Sequence, residues 1–395
     1  MTASATERPA AHHPVRSSTG RVLVCLGRFH RAVSATDASR WLAEGIRAHD
    51  DGLDVQERLI ADGAEGTVDA LVGAGYRRVV TRVTGPLGGT VEAGIAVRGE
   101  LAVIEQAQAS GMRLAPARVR SALLASSYGT GELLRAALDL GCRQIVLAVG
   151  SSAATDGGAG LLQALGARII GADGGELPPG GGGILTYATA IDLAGLDPRL
   201  RFTTVTVACD GDNPLLGPHG AAAMRRLQRR IDTWEVRALE AALTHYAGLV
   251  HATVGEDYSD RPGAGAGGGT GFAALAVLKA AGRVGAQFVL DEVDLERDLL
   301  NARLLVVGEG RLDARSLHGK ATIRAAALAA EAGVPVCAVA GQIDVTSAQL
   351  AEHGIQRAYS LLSLAGSLKA AATDTARLLR HVGTAIAARI DDLRD

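Results

Sequence analysis

Aromatic residues make up only 3% of this 395-residue chain, and lysine occurs at just three positions, Lys279, Lys320 and Lys369. A core built on so few rings must be packed from Ala, Val and Leu. The four cysteines, Cys25, Cys142, Cys209 and Cys337, lie far apart and form no CxxC pair. That spacing excludes a zinc or disulfide framework and suits reduced thiols in the cytoplasm. No uninterrupted apolar run is long enough to span a bilayer. A formal net charge of −2 offers no electrostatic case for nucleic acid or an anionic membrane as partner. The first 19 residues lack the apolar stretch of a signal peptide and read as a disordered tail, 1–19. Arginine supplies nearly all the positive charge, so a lysine inside a glycine-rich polar loop is a selected cation, and Lys320 alone has that setting.

The chain is rich in small residues instead, with 51 glycines and 48% apolar residues, the mix of an α/β protein with many tight loops. Its length makes two domains the default expectation. The organising stretch is QIVLAVGSSAATDGGAGLLQALG, Gln144 to Gly166. It reads as a buried strand, a small polar loop and a helix. Free N–H groups at such a helix start can meet an anion, with Ser151, Ser152 and Thr155 adding hydroxyls and Asp156 a carboxylate for a metal. An Asp N-cap on an ordinary turn is the competing reading.

The same pattern recurs along the chain. RVLVCL from Arg21 is a first strand and Val55 to Ile60 a second, ending in ADGAEGT with Asp62 and Glu65 at the strand's C-terminal edge. Ligands bind at that edge in open α/β sheets. The pair could share Mg²⁺ or hold substrate hydroxyls; alternatively both acids merely favour a helix N-terminus. Near Thr84 the rhythm changes to an expected hairpin reversing at Arg98-Gly99, the predicted domain crossing. Phe202 to Ala208 is a strand leading to Asp210, Asp212 and Asn213. Ala223 to Leu249 reads as one helix carrying Arg225, Arg226, Arg229 and Arg230 on a solvated face. Gly263, Gly265 and Gly268 match GxGxxG, and Asp291 follows an expected strand at Gln287 to Leu290, yet no strand precedes the glycines. A glycine loop for phosphate or close packing is preferred to a dinucleotide fingerprint. Finally, Glu309, Arg311, Asp313 and Lys320 gather after the strand Arg303 to Val307.

Acidic groups at several strand ends, glycine loops and one selected lysine fit phosphoryl transfer, which needs neutralisation and alignment more than covalent chemistry. A dinucleotide-dependent oxidoreductase and a binding protein without turnover are the alternatives. SSYGTGELLRAALDLG, GSSAATDGGAGLLQALGAR, CDGDNPLLGPHGAA, PGAGAGGGTGF and GEGRLDARSLHGKA, with ADGAEGT upstream, closely resemble the type I glycerate kinases, in the same order from Arg21 to Gly341. The resemblance implies ATP- and Mg²⁺-dependent phosphorylation of (R)-glycerate or a related small hydroxy acid. It implies two α/β domains around a cleft. One is a Rossmann-like parallel-sheet domain formed by 20–84 and 287–395; the other is an inserted mixed α/β domain, 85–286. A homodimer is left open as the assembly.

Carried onto this sequence, the resemblance gives Asp62 and Asp210 hydroxyl binding or proton acceptance. Lys320 and Arg311 would neutralise phosphate or the substrate carboxylate, and Asp156 and Asp313 would position Mg²⁺. Glu65, Asn213 and Glu309 would contact substrate, while Gly129, Thr130, Gly131, Ser152, Gly265 and Gly268 would cradle phosphate. Ala64, Ser151, Ala154, Thr155, Arg315 and Ser316 are smaller departures from the family pattern, and two segments depart seriously. CLGRFHRA stands where APDSFKGS is expected, so Gly27, Arg28 and His30 replace Asp, Ser and Lys. RRLQRRI stands for FGPQKGA, keeping Gln228 but placing Arg229 and Arg230 for Lys and Gly. Losing one transition-state contact costs about 3–4 kcal/mol, so a weakened enzyme, a changed substrate or a non-catalytic paralogue are the readings these losses raise.

Overall fold

The computed structural model describes residues 20–29, 33–115, 123–229 and 232–393. The expected tail 1–19, His30 and Arg230 lie outside the described residues. Thirteen strands, β1 to β13 in chain order, form three sheets among them.

The first sheet is built from both ends of the chain: β1 (Arg21–Leu26), β2 (Val55–Leu59), β11 (Ala302–Leu312), β12 (Val336–Ile343) and β13 (Arg357–Ser360). Its order is β13-β12-β11-β1-β2 and every pairing is parallel. Side chains of β1 alternate between two cores. Leu23 and Cys25 pack with the Ala321–Glu331 and Gly285–Glu292 helices, while Val22, Val24 and Leu26 pack with the Ala35–His49 and Thr375–Ala387 helices. A strand covered on both faces reads as the continuous apolar run seen here. From β1 the chain moves outward to β2, whereas β11 lies on the other side. The C-terminal ends of β1 and β11 therefore flank a switch point, the usual place for a ligand crevice.

The second sheet has the order β10-β9-β6-β5-β4-β3 and mixes directions. Here β5 (Leu101–Glu105), β6 (Gln144–Ala148), β9 (Thr204–Cys209) and β10 (Ala281–Val284) are parallel neighbours. The strands β3 (Arg77–Thr84) and β4 (Thr90–Arg98) add antiparallel hairpins. The expected reversal at Arg98-Gly99 is present, with Arg98 opposite Leu101 and Gly99 at a φ of +61°. β7 (Arg168–Gly171) and β8 (Ala188–Asp192) form a small hairpin sheet beside it.

Three expectations change. The crossing predicted near Thr84 comes earlier, because all of Arg77–Thr84 pairs with β4 in the second sheet. Gln287 to Leu290 is helical, within Gly285–Glu292, and the return to the first sheet begins there. Four apolar residues do not distinguish a strand from a buried helix turn; Gln287 bonding Asp291 one turn on, 2.7 Å, reveals the helical spacing. The stretch read as one helix is two, Ala221–Arg229 and Thr233–Val254. Phe288 and Val289 of the returning helix join one core with Leu71 of the first sheet's side and Val103, Val146 and Ala208 of the second. Burial of these side chains holds the two sheets together.

Candidate active site

The loop after β2 brings Asp62 to the N-terminus of a helix far away in sequence. Gly63, at a φ of +71°, lets this loop pass so close to Gly285 that no Cβ would fit between them. Asp62 Oδ1 accepts from the Ala321 amide at 2.7 Å, at the start of the Ala321–Glu331 helix. The N-cap residue of that helix is Lys320, whose side chain makes no capping bond. Its ammonium instead donates to Glu309 Oε2 of β11 at 3.0 Å. Glu309 is mostly buried and its Oε1 has no hydrogen-bond partner. Burial pushes the Glu309 carboxyl up, and the Lys320 charge works against that rise.

Asp210, in the loop after β9, closes the group from the other sheet. It accepts from the Ala286 amide at 3.0 Å, on the helix that starts beside Gly63. Burial, with the neighbouring charge of Asp62 added, raises its carboxyl to about 7, while Arg324 and Lys320 pull the other way. Thus Asp62, Asp210, Glu309 and Lys320 meet where the two sheets face each other. Arg324 joins them, its Nε fixed on the Gly319 carbonyl at 2.6 Å. Sequence reasoning missed Arg324; its position one turn after Lys320 on the same helix was the available signal.

Asp156 belongs elsewhere. Its carboxylate is wholly buried and accepts from the Ser127 amide (2.7 Å) and hydroxyl (2.9 Å), the Gly158 amide (3.2 Å), the Gly160 amide (3.3 Å) and the Ser126 hydroxyl (3.4 Å). Burial raises its carboxyl while these donors lower it. The group anchors one helix start to another, a structural use beside the Mg²⁺ role expected from the sequence. Asp313 is likewise spent: it caps the Ala314–Leu317 turn through the Arg315 and Ser316 amides. Burial opposes its charge, yet Arg315 and the capping amides hold its carboxyl below the usual range. Arg311 turns away from Lys320 to Asp344 at 2.5 Å and is half exposed. Among the described residues no group of three His, Cys, Asp or Glu side chains is placed to hold a metal ion.

The glycine-rich turns work chiefly in packing. A Cβ at Gly129 would strike the Thr84 carbonyl, and one at Gly131 the Leu161 carbonyl. Thr130 is buried, its hydroxyl paired with Ser110 at 2.8 Å. The Thr130 and Gly131 amides both turn to the Ser127 carbonyl. Gly265 and Gly268 lie against the carbonyls of Pro214 and Ala154. Ser152 donates to the Ala154 carbonyl at 3.1 Å and accepts from Gln106 at 3.1 Å. Asn213 closes the turn through its carbonyl, which accepts from the Gly265 amide. The Thr130, Gly131 and Gly265 amides, expected to meet phosphate, are thus turned to backbone carbonyls. Arg225, read as solvated, is buried and donates to the carbonyls of Ser152, at 2.5 Å, and Ala153.

A cavity of about 450 Å³ runs along the loop after β2, lined by Ile60, Glu65 and Gly66 of that loop and by Arg28, Glu105 and Arg113, among others. Glu65 pairs with Arg28 from the loop after β1 and with Arg113, at 3.4 Å, from the second sheet's side. Glu105, at the end of β5, is buried and accepts from the Gly66 and Val68 amides at 3.1 and 3.2 Å. Burial pushes its carboxyl to about 7 against those two bonds. An acid closing the apolar strand LAVIE was the only sequence sign of this tie between sheets.

Residues 22–391 match the model of the glycerate kinase family. Glycerate kinase from Bacillus subtilis is 39% identical over 373 residues, covering 94% of this chain and 97% of that protein. Glycerate 2-kinase from Escherichia coli is 38% identical over 352 residues, covering 88% and 92%. The crystal structure of a Salmonella typhimurium LT2 protein assigned as glycerate kinase 2 superposes with a TM-score of 0.77 at 36% identity, covering 95% of this chain and 99% of that one.

Proposed function

The chain belongs to the glycerate kinase family, and from that premise we propose that it transfers a phosphoryl group from ATP to a hydroxyl of (R)-glycerate. The observation that carries the reading is the meeting of Asp62, Asp210, Glu309, Lys320 and Arg324 where the two sheets face each other. Phosphoryl transfer is governed by positioning and charge neutralisation, and this group supplies both.

In this account the sheets act as two domains that close on the substrates. Asp210, with a carboxyl near 7, takes the proton of the attacking hydroxyl. Asp62, fixed by the Ala321 amide, holds that hydroxyl in line. Lys320 and Arg324 meet the negative charge that grows on the transferred group, and Glu309 aims Lys320. Mg²⁺ would be held mainly by the triphosphate, with Asp62 as its ligand on the protein, because Mg²⁺ commonly takes one or two carboxylates plus phosphate oxygens. It would supply neutralisation of the phosphate charge.

The Escherichia coli relative is a glycerate 2-kinase, which makes the 2-hydroxyl the acceptor to test first. The experiment is ADP release from ATP and Mg²⁺ with (R)-glycerate beside a panel of small hydroxy acids, followed by identification of the phosphoglycerate. Turnover on glycerate supports the proposal; NADH binding without ATP binding refutes it. A second reading, a weakened or non-catalytic member, is favoured by one feature. Gly27 offers no side chain at the switch point where the family pattern carries Asp. ATP binding with no turnover across the panel selects that reading.

A further inference from the structure

The cavity along the loop after β2 contains charge that the phosphoryl chemistry above does not use. Arg28 and Arg113 approach it from separate loops, one after β1 and the other after the Gln106–Ser110 helix that follows β5, and both converge on Glu65 Oε1. Among the described residues Glu65 is the sole acidic partner of either. Two guanidinium groups against one carboxylate leave a unit of positive charge. With five N–H donors apiece they also retain more donors than Glu65 can accept. Of the other acids on the walls, Asp69 pairs with Arg78 and Asp37 with Arg40, while Glu105 is buried and turned to the Gly66 and Val68 amides. The spare N–H donors therefore belong to the arginine pair, and planar guanidinium groups suit a second carboxylate better than any other small anion short of phosphate.

We propose that Arg28 and Arg113 form a clamp across the cleft for the carboxylate of the acceptor acid, with Glu65 holding the two guanidinium groups in place between turnovers. The inference rests on the kinase reading and places the acceptor within it: the hydroxyl reaches toward Asp62 while the acid group stays on the arginines. A cavity of about 450 Å³ admits a three-carbon acid with room to spare.

The test compares full-length wild type with R28A, R28K and R113A in steady-state ADP release, using glycerate and its uncharged methyl ester, with calorimetric binding of glycerate alongside. The clamp predicts that R28A raises the KM for glycerate about tenfold or more while the KM for ATP stays within about twofold. R28K should fall between the two, and the preference for glycerate over its ester should collapse in R28A and R113A. An unchanged glycerate KM and an intact preference for the charged acid in folded R28A or R113A overturn the clamp and leave the kinase reading standing. If wild type shows no turnover on glycerate, the kinase reading fails, and calorimetry decides the clamp by itself: glycerate binding lost in R28A and R113A supports it, and equal binding or none in wild type refutes it.

Discussion

Asp62 and Asp210 each accept from an amide in the first turn of a different helix, Ala321 in one case and Ala286 in the other, and they do so near enough that the charge of one raises the other. Two acids from separate sheets are thus held together by helix starts that would otherwise leave unpaired N–H groups. The arrangement fixes the carboxylates without using all their oxygens. It also creates a titration close to neutrality at the centre of the candidate site.

Activity should follow that titration. Burial and the charge of Asp62 place the Asp210 carboxyl at about 7, and a base works only when deprotonated, so kcat/KM should rise with pH to a plateau through a midpoint near 7. Removing the neighbouring charge in D62N should move the midpoint to lower pH. A pH–rate profile checks both; a flat profile between pH 5.5 and 8.5 rules out Asp210 as the base.

The same group should make stability depend on pH. Its folded pKa is raised above the ordinary carboxylate value, so the associated stability is fully present below about pH 4 and is lost as pH rises through about 7. D210N removes that penalty and can still accept from Ala286. Thermal or denaturant melts at pH 8 should therefore find it more stable than wild type by about 1–3 kcal/mol, while its turnover is lost. Equal or lower stability at pH 8 would contradict the burial argument.

Lys320 should matter for rate and for folding by separate routes. K320M is expected to lower kcat by about a hundred- to a thousandfold. It also strands the buried Glu309, costing about 1–3 kcal/mol. K320M/E309Q should recover most of the stability and none of the rate, as melts beside kinetics would reveal. Recovery of rate in the double variant would mean that Lys320 only neutralises Glu309.

Asp156 gives the opposite signature. With five donors on one buried carboxylate, D156N should destabilise the fold by about 2–4 kcal/mol. Below its melting temperature the Mg²⁺ concentration for half-maximal activity should be unchanged. A Mg²⁺ requirement raised tenfold would restore this residue as a metal ligand.

Gly27 tests the departure from the family pattern. Its φ is not positive, and a Cβ there would lie 3.5 Å from the Gly308 carbonyl oxygen and 3.8 Å from that of Ile60, ordinary contacts that leave room for a side chain. Gly27→Asp together with His30→Lys should raise kcat/KM for glycerate. An unchanged or lower value would show that those two losses do not limit the enzyme.

Much of the site could be read from sequence because its members end strands. The apolar run of β9 leads straight to Asp210 and that of Leu304–Val307 in β11 to Glu309, while Asp62 stands three residues past β2. Lys320 stood out because lysine is scarce. Asp156 was not legible in the same way: a DGG turn has one spelling whether its carboxylate faces a cleft or the interior. Glu105 was hidden because the amides it accepts from lie 39 and 37 residues earlier, on the other sheet's side. Arg225 looked solvated among neighbouring arginines, and only the fold brings two loop carbonyls over it. Glycines read as phosphate cradles also mark close backbone approach, which sequence spells identically.

The most direct measurement is the kcat/KM for (R)-glycerate, with ATP and Mg²⁺ at pH 8, in wild type and D210N. The account predicts saturable, glycerate-dependent ADP release in wild type, reduced at least a hundredfold in a D210N protein that remains folded. Wild-type ADP release that ignores glycerate, or a folded D210N with undiminished turnover, would contradict it.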